Sequence, residues 1–114
     1  MIVYGFMDGT THRVGNVNLM GVQLLNGGQY DTTNSALVFL NTVNGNYTST
    51  IVGTSFVNCK AYCVNINNAN NITMTNNVFY NGWVFGVQAQ NMLSFTFTHN
   101  LFIGIVDRPS IVAN

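Results

Sequence analysis

An all-β, repeat-built chain is predicted by three observations on these 114 residues. Phe56, Phe79 and Phe102 recur at intervals of 23. Short runs of alternating apolar and polar residues surround each of them, and the turns between the runs are made of Asn and Gly rather than helix formers. A fixed period of this length built from strands alone is the mark of stacked repeats. The fold class expected is therefore a parallel β-helix, or β-solenoid, of about four to five rungs.

Four segments align: VNLMGVQLLN at 17–26, STIVGTSFVN at 49–58, ITMTNNVFYN at 72–81 and FTFTHNLFIG at 95–104. Leu24 precedes Phe56 by 32, so the first interval carries an insertion, visible as the turn-rich stretches GGQYDTTNS and NTVNGNYT. A second strand follows each segment. Val64 and Val87 lie 23 apart, as do Ile66 and Ala89, and ALVFLN is expected to bring Val38 and Leu40 into the same stack. Residues 1–13 read as an incomplete first rung, 14–104 as repeat rungs and 105–114 as the start of a further one. The chain is thus expected to be one β-helix segment, a fragment of a longer protein.

Strand alternation sorts the side chains into faces. The inward columns expected are Val17, Ser49, Ile72, Phe95; then Leu19, Ile51, Met74, Phe97; then Leu24, Phe56, Phe79, Phe102. Outward, Asn18, Thr50, Thr73 and Thr96 form one column, and Met20, Val52, Thr75 and Thr98 the next. Paired threonine columns can serve as an ice-binding face, but only two repeats have both threonines, so a plain solvated face is expected. The other outward columns, Gln23, Ser55, Val78, Leu101 and Leu25, Val57, Tyr80, Ile103, are mostly apolar. A continuous apolar face calls for a cover. Leu25, Val57, Val78, Tyr80, Leu101 and Ile103 are therefore expected to face another domain or chain.

The composition fits stacking and narrows the chemistry. Apolar residues make up 47% of the chain, yet only three Lys+Arg and three Asp+Glu are present, against 19 Asn. Like charges repeated on every layer would repel at close range, whereas amides at that spacing bond to one another. Asn26, Asn58 and Asn81 are expected to form one ladder, and Asn77 and Asn100 a second, with Thr54 and Val22 at its matching sites. A net charge of zero gives no basic surface for nucleic acid, and no apolar run is long enough to enter a membrane as a helix.

Cys59 and Cys63, in CKAYC, either close a small loop as a disulfide or remain two buried thiols, and without His neighbours they make a poor zinc site. Asn46-Tyr47-Thr48 and Asn71-Ile72-Thr73 match the N-glycosylation acceptor pattern. The Met1 segment lacks the basic start and apolar length of a signal peptide, so a secreted protein would carry its signal upstream.

The runs NVNLMGVQLLNGGQ, SALVFLN, STIVGTSFVNC, INNANNITMTNNVFYN and VFGVQAQ resemble the fibrocystin and fibrocystin-like family over most of residues 14–104. The resemblance implies a right-handed β-helix of the pectate-lyase-like type in the ectodomain of a large extracellular, cell-surface, often ciliary protein. It implies no catalytic role. Related cell-surface hyaluronan-degrading proteins share that β-helix beside a globular domain for which this chain has no sequence.

Three functions compete for these residues. A structural or adhesive module, packed against adjoining rungs or other chains, needs no active site, no metal and no cofactor, and it is the function expected. A polysaccharide lyase or hydrolase requires paired carboxylates, or clustered acids holding calcium beside a base. The candidates, Asp8, Asp31 and Asp107 with Arg13, Lys60, Arg108, His12 and His99, do not converge on one repeat face. A glycan-binding surface would draw on Tyr80 and Trp83 with Gln88 and Gln90.

Overall fold

The computed structural model describes residues 1–29, 34–43, 46–82, 86–105 and 111–113. The strands in chain order are β1 (Ile2–Asp8), β2 (Thr11–Val14), β3 (Asn18–Met20), β4 (Gln23–Leu25), β5 (Leu37–Leu40) and β6 (Ser49–Val52). They continue as β7 (Ser55–Val57), β8 (Val64–Thr75), β9 (Val78–Tyr80), β10 (Val87–Thr98), β11 (Leu101–Ile103) and β12 (Ile111–Ala113).

Two sheets result. One has eight strands, with the path β12-β10-β8-β5-β1-β2 and with β3 joined through β6 to β8; the other has four, in the order β11-β9-β7-β4. Every pair is parallel except β1 with β2, which pair antiparallel from Gly5 opposite Val14 to Asp8 opposite Thr11.

This architecture corrects the expected right-handed parallel β-helix of four to five rungs. The fold is a mixed sheet curled into a half-barrel, with a second, parallel sheet, built largely of short strands. The repeat period states which residues lie side by side on neighbouring strands; it does not state how successive strands wrap. At the N-terminus local turn chemistry decides. Gly9 takes a φ of +63°, which lets residues 5–14 fold back on themselves as a hairpin instead of running on as a rung.

The core lies inside the curl, and its columns follow the pairing registers. Ser49, Ile72 and Phe95 align, as do Leu19, Ile51, Met74 and Phe97, and Leu24, Phe56, Phe79 and Phe102. The Phe56 and Phe79 rings stack at 4.8 Å and 4°, and those of Phe79 and Phe102 at 4.6 Å and 10°. These distances match the spacing of hydrogen-bonded strands, so backbone pairing itself sets ring contact.

One register differs from expectation. Leu37 pairs Val64 and Phe39 pairs Ile66, and both are fully buried, while Val38 is half-buried opposite Asn65 and Leu40 is exposed opposite Asn67. A slip of one residue sends every side chain of a strand to the other face. In ALVFLN both choices present apolar residues. The register that buries Leu37 and Phe39 puts the bulkier ring into the core and keeps Val64 and Ile66 inward.

Asparagine shapes the corners. Of the ten described residues other than Gly with positive φ, eight are Asn: 26, 41, 58, 68, 71, 76, 81 and 91. They fall in repeat columns with one another and with Gly. Asn26, Asn58, Asn81 and Gly104 share one such column, and Gly21, Gly53, Asn76 and His99 another. Asn and Gly enter the left-handed region at low cost, whereas other side chains meet the following carbonyl. Asn68 and Asn71 bend β8 in mid-strand, and Asn91 and Ser94 bend β10 at the equivalent points.

Two stability effects follow. Phe39→Ala should cost about 3–5 kcal/mol in denaturant unfolding, as for a buried aromatic, with Leu40→Ala well under half of that; the reverse order would place the β5 register one residue away. His99→Gly should raise stability by about 0.5–1 kcal/mol, because it removes the side-chain clash at φ +53°. Thermal unfolding of the two proteins checks the sign.

Candidate functional site

The four-stranded sheet turns Leu24, Phe56, Phe79 and Phe102 into the core and so sends their neighbours outward. Leu25, Val57, Tyr80 and Ile103 form one outward column across β4, β7, β9 and β11, beside Gln23, Ser55, Val78 and Leu101. Leu25 is 56% exposed, Leu101 53%, Tyr80 48% and Ile103 44%; Val57 and Val78 are half-buried. The six apolar residues therefore make one contiguous face, which no described part of the chain covers. It grows more apolar from β4 to β11, as Gln23 and Ser55 give way to Val78 and Leu101.

Behind this face a buried amide ladder joins the sheets. Asn77, 1% exposed, donates through Nδ2 to Ile51 O at 2.9 Å and to Asn100 Oδ1 at 3.0 Å. Its Oδ1 accepts from the Thr54 backbone N–H at 2.9 Å, and its own N–H donates to Asn100 Oδ1 at 3.0 Å. Asn100 Nδ2 donates to Met74 O at 3.0 Å. At the Gly-Asn corner column, Asn81 Nδ2 donates to Asn58 Oδ1 at 2.7 Å, and the backbone N–H groups of Asn26, Asn58 and Asn81 donate to Val57, Tyr80 and Ile103 carbonyls. On the outward threonine columns, Thr50, Thr73 and Thr96 align, and the Thr75 and Thr98 hydroxyls are 2.9 Å apart.

Cys59 and Cys63 are joined by a disulfide in the link between β7 and β8, with both side chains buried. The Lys60 N–H bonds Gly27 O, which ties this link to the layer below. Asn46 is exposed just before β6. Asn71 is half-buried at a bend of β8, and its acceptor partner Thr73 points outward in the threonine column.

The candidate acid and base residues are spread apart. Asp8 and Arg13 meet across the β1–β2 hairpin as an exposed ion pair, with Nε–Oδ2 at 3.5 Å, a kind of contact that contributes little. His99 sits at the corner after β10, at the opposite end of the sheet order from β2. Asp31, Asp107, Arg108 and Trp83 lie outside the described residues. Tyr80 belongs to the four-stranded sheet, whereas Gln88 and Gln90 belong to the eight-stranded one. Among the described residues no group of three or more His, Cys, Asp and Glu could hold a metal ion.

The structure also brings together residues that sequence reasoning did not join. His12, Arg13, Asn16, Asn46 and Tyr47 line a cleft of about 300 Å³ beside the hairpin. A second, more apolar cleft of about 480 Å³ includes Ile2, Tyr4 and Phe6 of β1 with Arg13 and Asn16. The signal available in the sequence was the alternation in IVYGF, which puts Ile2, Tyr4 and Phe6 on one face; what hid it was the hairpin. Comparisons of the chain with protein-family models, with curated proteins and with solved structures found no match.

The ladder has a measurable weight. Asn77→Ala leaves the Thr54 N–H and the Ile51 carbonyl without their partner, at about 1–3 kcal/mol for each buried group. Unfolding should show the loss, and hydrogen exchange should speed up first at Thr54.

Proposed function

We propose that this chain is a non-catalytic structural or adhesive module of an extracellular, cell-surface protein that packs its four-stranded sheet against another domain or chain. The observation that carries the reading is the exposed face formed by Leu25, Val57, Val78, Tyr80, Leu101 and Ile103. A contiguous apolar sheet face of this kind on a small domain marks a surface that is meant to be covered. The disulfide is compatible with an oxidising, extracellular setting. The two acceptor sequons and the resemblance to fibrocystin-like ectodomains support the same setting.

The distribution of polar chemistry agrees with such a role. Hydrolysis of a glycosidic bond takes two carboxylates across one bond, and Asp8, the carboxylate among the described residues, lies opposite Arg13 on an exposed hairpin. The amides of Asn77 and Asn100 are engaged in hydrogen bonds that hold the sheets together.

Replacing the four most exposed residues together, Leu25→Thr, Tyr80→Thr, Leu101→Thr and Ile103→Thr, keeps strand-compatible side chains and removes the apolar face. The native chain should self-associate with rising concentration in sedimentation and bind an apolar dye. The replaced chain should do so several-fold less, with its unfolding midpoint within a few degrees of native. A native chain that stays monomeric and dye-free, indistinguishable from the variant, overturns the reading.

A further inference from the structure

Two extra stretches of chain stand out at one corner of the eight-stranded sheet. β8 and β10 cross that corner in one run, bending at Asn68 and Asn71 and at Asn91 and Ser94. On the neighbouring strands the link is longer. Residues 2–4 pair with 38–40 before it, and 18–20 with 50–52 after it. In the first link the β1–β2 hairpin folds out and closes where Gly15 N donates to Tyr4 O at 3.1 Å. The second carries the Asn46-Tyr47-Thr48 sequon between Thr42, whose carbonyl accepts from Asn70 N, and Ser49 at the start of β6. The cleft of about 300 Å³ lies between these two excursions, so its walls are internal parts of this chain.

The hairpin wall is fixed in place. A Cβ at Gly5 would run into Asn41 O and stand 3.0 Å from His12 Nε2, so the root of the hairpin is pressed against the second link. His12, Arg13 and Asn16 line the cleft together with Asn46 and Tyr47, and among the described residues no acid does. Their imidazole, guanidinium and amide groups offer donors and acceptors of the kind that hydroxyl and acetamide groups pair with.

The two sequons are placed very differently. Asn46, Tyr47 and Thr48 are all exposed and lie outside the strands. Asn71, Ile72 and Thr73 lie inside β8, where Asn71 is half-buried at a φ of +57° and Ile72 is 1% exposed. Strand pairing on both sides of β8 sets Thr73 between Thr50 and Thr96. An acceptor Asn belongs on a surface loop, with room beside it for a bulky chain. Asn46 has both, and Asn71 has neither.

We propose that Asn46 carries an N-linked glycan, that Asn71 does not, and that the first sugar of this glycan lies in the cleft against His12, Arg13 and Asn16. In the step that attaches it, Asn46 Nδ2 loses a proton and bonds to C1 of the first N-acetylglucosamine, while the lipid diphosphate that carried the oligosaccharide leaves. The co-reactant is thus a lipid-diphosphate oligosaccharide, and this chain is the acceptor. The glycan covers polar surface beside the hairpin. The apolar face formed by β4, β7, β9 and β11 belongs to the other sheet and stays free for its partner. The proposal rests on the extracellular setting of the reading above, but it uses a different surface.

The intact chain, with a cleavable signal placed ahead of Met1, is translated in the presence of endoplasmic-reticulum membranes and also secreted from animal cells. A single glycan should be added, lost in Asn46→Gln and kept in Thr73→Ala. Amidase release turns the carrier Asn into Asp, and peptide mass spectrometry should find that change at residue 46 alone. Amide hydrogen exchange at residues 12–16 should be at least about threefold slower in the glycosylated chain than in the released one. It should stay slow when an endoglycosidase trims the glycan to its first sugar. A bare Asn46, a glycan on Asn71, or equal exchange at residues 12–16 in all three forms each overturns the proposal. A bare Asn46 on a chain that still self-associates through its outer face sinks this proposal alone; an occupied Asn46 on a chain whose outer face proves inert sinks the packing-module reading alone.

Discussion

Parallel pairing at a constant offset is the constraint on which the rest of this molecule depends. Once residues 64–75 lie beside residues 87–98 at an offset of 23, every side chain has its repeat equivalent as a neighbour at strand spacing. Whatever occupies a column must tolerate its own kind at that distance. Aromatic rings do so by stacking, as Phe56, Phe79 and Phe102 show, and amides do so by donating to one another. Repeated charges do not, since their repulsion would accumulate from strand to strand. The scarcity of ionisable residues follows from this geometry.

The buried amides carry a larger share than their number suggests. A polar group out of water costs free energy unless each of its donors and acceptors is met. Asn77 meets its own and also satisfies Ile51 O and Thr54 N, backbone groups left by the break between β6 and β7. A Leu at the same place would fill the volume and orphan both. The ladder therefore lets the chain turn sharply between its two sheets without unsatisfied backbone. The corner asparagines solve the complementary problem of backbone conformation: their positive φ values place the bends, and the side chain of Asn81 reaches Asn58 along the same column.

Stacking also explains where the molecule is left unsatisfied. Among the described residues an inward column is covered by its neighbours except at its last member, so Phe95, Phe97 and Phe102 are half-buried although the residues beneath them are closed. An outward apolar column is never covered by stacking, whatever its length, because the next strand adds another exposed residue beside it. The outer face of the four-stranded sheet and the β10–β11 edge are thus two different consequences of one packing rule. The hairpin at the other end shows a third solution, in which a strand folds back antiparallel and supplies its own partner.

The columns were legible in the sequence because a period of 23 with two-residue alternation leaves little freedom about which residues are neighbours: Leu19, Ile51, Met74 and Phe97 could be aligned without coordinates, and so could the outward run from Leu25 to Ile103. The roles of Asn as corner residue and ladder residue were legible for the same reason. The register of β5 was not, because ALVFLN is apolar on both faces and only the fit of Leu37 and Phe39 against Val64 and Ile66 chooses between them. The clefts beside the hairpin were hidden as well, since they join residues 12–16 to Asn46 and Tyr47 through no repeat relation. By itself the sequence determined local pairing, which depends on periodicity and residue chemistry at short range. Only the tertiary structure decided the path of the sheets, the mixed and curled form and the N-terminal hairpin, because wrapping depends on strand twist, bends and turn geometry summed over the whole chain.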